Sequence, residues 1–386
     1  MFKKCLIYVT PHNWYDHVLT GQINRPLKLA EQFYNHKLFS EMMIVNRLRP
    51  SRITRVNETG RELIFRRGLF NVFFDPKNEV YYLEHCLPFG IIEELILPII
   101  VKYVMRKLNF YNGLLWICDP KSMGLSLKFD KMEHLFDAYD DWSLSPFYKK
   151  RKRNMKFITR GYQIAKKSNS LIITNTKHMK NKLATYSNSN RVELIGNTSS
   201  LNVNLGRMDK EHTLQKGNHK VVGYVGNIHE RIDLDLVSKM VGYFKNVKFV
   251  FIGRNDFESD RFGKLLEKYQ NIEFLGQKAY DLIPNYIAQF DVCIVPHIVN
   301  EYTMSQDSMK MYDYLLCGKP VVTTEIPPAD RLSKIMYVSH TPDDFIEQLS
   351  SALEENDDKL KNERLVYMKN NTWEKKAKQI CALLED

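Results

Sequence analysis

Short apolar runs rich in β-branched residues recur along the chain, each followed by polar turn residues and a segment with helical spacing. In the first half they are CLIYVT (5–10), MMIVN (42–46), LLWICD (114–119), HLFDAY (134–139), LIITN (171–175) and VELIGN (192–197). Between 197 and 220 the pattern lapses into NTSSLNVNLGRMDKEHTLQKGNHK, rich in Asn, Ser, Lys and His. It then restarts with VVGYVG (221–226), KFVFIG (248–253), IEFLG (272–276), DVCIVP (291–296), PVVTT (320–324) and IMYVS (335–339). Alternation of this kind predicts parallel sheets built from βαβ units, and the lapse predicts a connection between two domains. The expected organisation is an α/β domain over 1–197, a connection over 198–219 and a second α/β domain over 220–370. A helix over 371–386, opened by Asn371 and Glu374 in a capping-box pattern, is free to return to the first domain.

A length of 386 residues suits two domains, and 44% hydrophobic with 26% charged residues is a globular composition throughout. The apolar run after Lys3 and Lys4 is too short for a signal peptide, so a cytoplasmic location is expected. Six cysteines lie singly, without a C-x-x-C pair, and read as reduced thiols. The net charge of +11 leaves nucleic acid, anionic lipid and phosphate-bearing substrates open as partners. One run, KKRKRNMK from Lys149 to Lys156, is flanked by Phe147, Tyr148 and Phe157. A second segment, Phe89 to Phe110, is apolar but interrupted by Glu93, Glu94 and Pro98, and ends in Lys102, Arg106 and Lys107. It is too broken to span a bilayer. Together the two suit peripheral contact with an anionic membrane surface, such as the inner face of the plasma membrane; a solvated helix face and a core helix with a wet end are the plainer alternatives.

The segment DSMKMYDYLLCGKPVV (307–322) carries most of the chemistry. Met309, Tyr312, Leu315 and Leu316 fall at helical spacing, Asp307 or Ser308 can cap the start, and Gly318 with Pro320 stops the helix. A helix start with Ser308 and Lys310 beside it favours a diphosphate. Asp313 shares a face with Lys310, and its carboxylate can accept hydrogen bonds from ribose hydroxyls or form a simple i,i+3 ion pair.

The second half resembles the donor-binding domain of GT-B glycosyltransferases, most of all bacterial enzymes of cell-surface polysaccharide assembly of the teichuronic acid type. The resemblance rests on GYVGNIHERIDLDLV (223–237), FVFIGR (249–254), IEFLGQKAYDLIPNYIAQFDVCIVPH (272–297), NEYT (300–303) and KMYDYLLCGKPVVTT (310–324). It implies two Rossmann-like domains facing a cleft, with Asp313 as a shortened ribose contact. It also implies Gly226 and Asn227 as a phosphate-approaching loop, Arg231 and Arg254 as diphosphate partners, and Lys278 and Tyr280 near the base. Ser305 stands where related families carry a first glutamate, which moves the catalytic expectation to the first domain.

There the resemblance continues in NRPLKLAEQF (24–33), WICDP (116–120), FDAYDDWS (136–143) and NSLIITNTKHMKNKL (169–183). Asp137, Asp140 and Asp141 cluster at a strand end, where one can take the proton of an acceptor hydroxyl; Asp141 is favoured, and helix capping or ion pairing is the alternative. His12, Gly21 and Arg25 follow the first strand, on the side that faces the acceptor in similar enzymes. The acidic pair Asp233 and Asp235 reads as a helix start, so no metal is expected, and no cofactor beyond a nucleotide-sugar substrate, UDP-linked by resemblance.

The expected function is transfer of a sugar from a UDP-sugar to a cell-surface glycan precursor, with a lipid-linked acceptor suggested by the positive charge. A nucleotide-sugar epimerase of the same fold, or a non-enzymatic basic protein that binds membrane or nucleic acid, are the alternatives. A dinucleotide dehydrogenase is disfavoured because no G-x-G-x-x-G follows the first strand, and a nucleic-acid module because none of its motifs occurs.

Overall fold

The computed structural model describes residues 2–11, 14, 24–47, 60–111, 113–168, 170–184, 191–202, 214, 217–356 and 358–385. His12, Gly21 and most of the 198–219 stretch lie outside the described residues. The chain divides into two compact units, Met1–Ile195 with Trp373–Asp386, and Gly196–Thr372. The second unit therefore begins at Gly196, earlier than the expected connection, and the C-terminal helix Trp373–Glu385 belongs to the first.

In the first unit the strands are β1 (Phe2–Val9), β2 (Phe39–Arg47), β3 (Glu62–Arg67), β4 (Phe70–Asp75), β5 (Val80–His85), β6 (Leu114–Ile117), β7 (Glu133–Ala138), β8 (Leu171–Thr174) and β9 (Arg191–Leu194). They form one sheet in the order β3-β4-β5-β2-β1-β6-β7-β8-β9, parallel except where β4 pairs antiparallel with β3 and β5. Ile7 of β1 sits in register with Met43 of β2 and Leu115 of β6. These strands read as continuous apolar runs because helices cover both faces. On one face Ile7, Leu115 and Phe136 pack with Leu97, Val101 and Val104 of the helix Ile91–Lys107 and Ile158 and Ala165 of the helix Lys152–Lys167. The helix Arg25–Asn35, opened by the Asn24 side chain accepting from Leu27 N–H, buries Leu29, Ala30 and Phe33 and packs against Trp373–Glu385.

In the second unit the strands are β10 (Lys220–Val225), β11 (Val247–Ile252), β12 (Ile272–Phe274), β13 (Val292–Val295), β14 (Val321–Thr324) and β15 (Tyr337–Ser339). All are parallel, in the order β12-β11-β10-β13-β14-β15. Alternation along β11 sends Val250 and Ile252 into one core with Ile287, Phe290 and Leu315, and Phe249 and Phe251 into the other with Val237, Phe345 and Leu349. The order reverses between β10 and β13, and an open sheet of this kind leaves a crevice beyond the strand ends at that point.

Among the described residues no helix is long and apolar enough to cross a membrane. The six cysteines form no disulfide; Cys5, Cys118, Cys293 and Cys381 are buried.

Candidate functional site

Beyond the end of β10 the chain turns at Gly226, with φ +139°, and beyond β11 at Gly253, with φ +150°. A Cβ on Gly253 would stand 2.0 Å from the Gly226 carbonyl oxygen, and one on Gly226 would stand 2.6 Å from Lys310 Cε. Only glycine allows both turns to stack and still leave room for the lysine. Gly226 N–H donates to Ile252 O at 2.9 Å, which ties the two strand ends together. Tyr224, inward-facing on β10, donates its hydroxyl to Asn227 O at 3.2 Å and lies 3.1 Å from His297 Nε2, just past β13.

The helix Met309–Leu316 starts at this crevice. Ser308 occupies its N-cap position without a side-chain cap bond, and the first turn holds no acidic residue. Asp307 does not cap it: its carboxylate accepts from Asn197 N–H at 2.6 Å, Tyr312 Oη at 3.0 Å and Arg331 Nη2 at 2.9 Å. Lys310 lies in the first turn with Nζ 4.9 Å from the Tyr224 ring centroid. Arg231 donates to His229 Nε2 at 2.8 Å and to Gln306 Oε1 at 2.7 Å. Among the described residues neither Lys310 nor Arg231 pairs with a carboxylate. The consequences are readable in the titrating groups. Burial, then Arg231, holds Lys310 well below the usual lysine range. Burial, then Arg231 and Lys310, pushes His229 down to about 3, and burial, then Lys310 and Arg231, keeps His297 neutral as well. Two half-buried cations, beside two neutral histidines and a helix start without a side-chain cap, give this end of the crevice a positive character that suits an anion.

One turn further along, Asp313 makes no ion pair with Lys310. Its carboxylate accepts from Ser199 Oγ at 2.5 Å, and burial pushes it up to about 7 against the hydrogen bonds from Ser199 and Ser200 and the charge of Lys310. Burial raises the Tyr280 hydroxyl, and the Asp313 charge raises it further. Among the described residues Lys278 lies over the Tyr286 ring, at 6.0 Å, and Arg254 is exposed and held by Asp256 at 2.6 and 2.8 Å. Ser305 is buried and donates to Tyr302 O. Asp233 accepts from Asp235 and Leu236 N–H and caps the helix Leu234–Tyr243, as a helix start should.

The strand-end aspartates of the first unit are separated in role. Asp137 is fully buried and paired with Arg25 Nε at 2.9 and 3.1 Å, while Arg25 Nη1 donates to Ile195 O. The pair is a structural clamp, so Arg25 is a buried partner and not an exposed acceptor contact. Asp141 accepts from Lys182 at 2.5 Å and from Ser143 Oγ at 2.6 Å, with His178 at 3.5 Å. These bonds outweigh burial and hold its carboxyl well below the usual range, so it is a weak proton acceptor. Asp140 is half-buried, and its main-chain oxygen accepts from Tyr162 Oη.

Sequence reasoning missed Tyr224, His229, His297, Gln306 and Ser199. His229 and His297 carried a signal, since each follows a strand beside the order reversal; Ser199 carried none, because it reaches Asp313 from far along the chain.

Two parallel-sheet units with a crevice at the end of β10 define the GT-B class of fold. Solved structures agree across the whole chain. α,α-Trehalose-phosphate synthase (UDP-forming) from Burkholderia vietnamiensis matches with TM-score 0.71 at 12% identity, over 100% of this chain and 97% of that one. Anabaena HepE, solved with UDP-glucose, matches with TM-score 0.65 at 12% identity, over 99% of each. Residues 219–355 match the family model Glycosyl transferases group 1, and the second unit carries a domain of that family. TuaH of Bacillus subtilis, named as a teichuronic acid biosynthesis glycosyltransferase, is 24% identical over 147 residues, a match that spans 37% of this chain and 37% of that protein.

Proposed function

We propose that the protein is a glycosyltransferase that moves a sugar from a UDP-sugar to a cell-surface glycan precursor carried on a lipid. The observation that carries this reading is the pair Lys310 and Arg231, half-buried beside the Gly226 turn and, among the described residues, in no ion pair with a carboxylate. In this reading the donor diphosphate is the missing counter-ion. As the acceptor oxygen bonds to the anomeric carbon, the bond from that carbon to the diphosphate breaks and UDP leaves with added negative charge. Lys310 and Arg231 stabilise that charge in the place a divalent metal occupies in other designs. Asp313, one turn along the same helix, accepts hydrogen bonds from the ribose hydroxyls.

On the acceptor side, Asp137 is committed to Arg25 and Asp141 to Lys182. Asp140 and Asp141 are the two strand-end carboxylates proposed for the proton of the attacking hydroxyl, and Asp141, held well below the usual range, is a weak acceptor in that role. UDP as the nucleotide and a glycan acceptor are supported by HepE, solved with UDP-glucose, and by TuaH, named for teichuronic acid biosynthesis. The test is release of free UDP from a panel of UDP-sugars with and without a lipid extract containing glycan precursors. Release that depends on the extract supports the reading; epimerised donor without acceptor, or no turnover of any UDP-sugar, contradicts it.

A further inference from the structure

The helix Ile91–Lys107 is apolar on two opposite sides, and only one of them is covered. Leu97, Ile100, Val101 and Val104 face the core. Ile91, Leu95 and Ile99, spaced four apart, form a stripe with Ile92 beside it, and these four side chains are 52% to 68% exposed. The same helical line continues through the exposed Lys102 and Arg106. A stripe of large aliphatic side chains in water is rare on a protein that needs no partner there.

Its surroundings supply the charge. The first turn is bound to the helix Lys152–Lys167 by Arg153 Nη2 donating to Phe89 O at 2.9 Å and by Arg160 Nη1 pairing with Glu94 Oε2 at 2.6 Å. The Phe89 and Phe157 rings meet at 5.2 Å. The same helix and the turn before it carry exposed Lys149, Lys150, Arg151, Lys152 and Lys156, and exposed Phe147 lies under the Arg151 guanidinium at 3.6 Å. No Asp or Glu occurs between Asp141 and Glu193, so the cations of this stretch lack acidic neighbours in sequence. An aliphatic stripe with a cationic flank is complementary to a bilayer surface with anionic headgroups: the side chains enter the acyl boundary while the lysines meet the phosphates.

From these observations we infer that the Ile91–Lys107 helix and the Phe147 to Lys156 segment together dock the protein on an anionic lipid surface. The helix starts at the C-terminal edge of the first sheet: Glu93 binds Arg47 at the end of β2 and lies 3.7 Å from His85 at the end of β5. Docking therefore brings that sheet edge to the lipid surface. The inference stands on the surface alone and does not depend on the donor reading.

The test is sedimentation of the full chain with phosphatidylcholine vesicles, with and without phosphatidylglycerol, at low and high salt. The wild type is expected to pellet with the anionic vesicles at low salt, and less so as salt rises. Leu95→Ser with Ile99→Ser should weaken binding by roughly tenfold or more, from the apolar area withheld. Lys149→Glu with Lys150→Glu and Lys152→Glu should weaken it by roughly a hundredfold or more. All these sites are exposed, so both variants should keep the wild-type melting temperature, which controls for folding. Wild type that stays in the supernatant at low salt overturns the inference, as does equal binding by either variant. Self-association abolished by Leu95→Ser with Ile99→Ser, without vesicle binding, overturns it in favour of a second copy of the chain.

Discussion

Replacing Lys310 with Met should move stability and ligand binding in opposite directions. In the free protein the ammonium is half-buried beside Arg231 and, among the described residues, in no ion pair with a carboxylate, and its attraction to the Tyr224 ring at 4.9 Å is worth about 0.5–1 kcal/mol. Burial and then the like charge of Arg231 oppose the ammonium and outweigh the favourable Asp313 charge, because together they hold the group well below its normal range. Met fills a similar volume without the charge, so the variant should melt higher than the wild type, by about 2–4 °C for each kcal/mol of opposition relieved. The lost charge-assisted bond to a diphosphate should cost about 1.5–3 kcal/mol, or roughly a 10- to 150-fold rise in Kd for UDP. Scanning fluorimetry of the free protein and calorimetric titration with UDP measure the two effects separately. A lysine kept for structure would show the reverse: Lys310→Met melting lower than wild type while binding UDP equally well would refute the reasoning.

Three further outcomes follow from the same geometry. Gly226→Ala places a methyl 2.6 Å from Lys310 Cε at a φ of +139°, so donor binding should fall at least tenfold, and unchanged UDP titration would count against the loop assignment. Asp313 is raised from 3.8 to about 7, so over that window the folded chain keeps a proton that the unfolded chain has released, and this group's contribution to stability falls as pH rises. Asp313→Asn should therefore gain on the wild type as pH climbs through the window, by at most about 1.4 kcal/mol per pH unit, and parallel melting curves would contradict the assignment. Arg25→Met leaves Asp137 charged and buried, which should cost about 3–5 kcal/mol, partly recovered by adding Asp137→Leu; a melting temperature unchanged by Arg25→Met would show the clamp to be idle.

The strands that carry the two sheets were legible because both faces are buried and the apolar runs are continuous: CLIYVT, LLWICD, KFVFIG and DVCIVP all lie on observed strands within three residues at their ends. β3, β4 and β5 were missed. β3 is exposed along most of its length and pairs only at the sheet edge, so its ELIFRR sequence shows no buried run. The helix Met309–Leu316 followed by β14 was read from spacing and the Gly318 stop, and Lys310 and Asp313 with it. Their surroundings were not legible. The i,i+3 spacing suggested an ion pair, but Ser199 takes Asp313 from outside the helix, and Arg231 crowds Lys310 from the loop after β10. For the same reason the strand-end aspartates looked alike in sequence, and only the long-range partners Arg25 and Lys182 distinguish them.

The central claim is that the crevice at Gly226, Arg231, Lys310 and Asp313 holds a nucleoside diphosphate sugar. Calorimetric titration of the full chain with UDP, GDP and CDP addresses it most directly. The account predicts one UDP per chain, bound more tightly than GDP or CDP and weakened at least tenfold by Asp313→Ala, as a lost buried pair of hydroxyl contacts requires. Absence of binding by any of the three, or UDP binding that Lys310→Met and Asp313→Ala both leave unchanged, would contradict it.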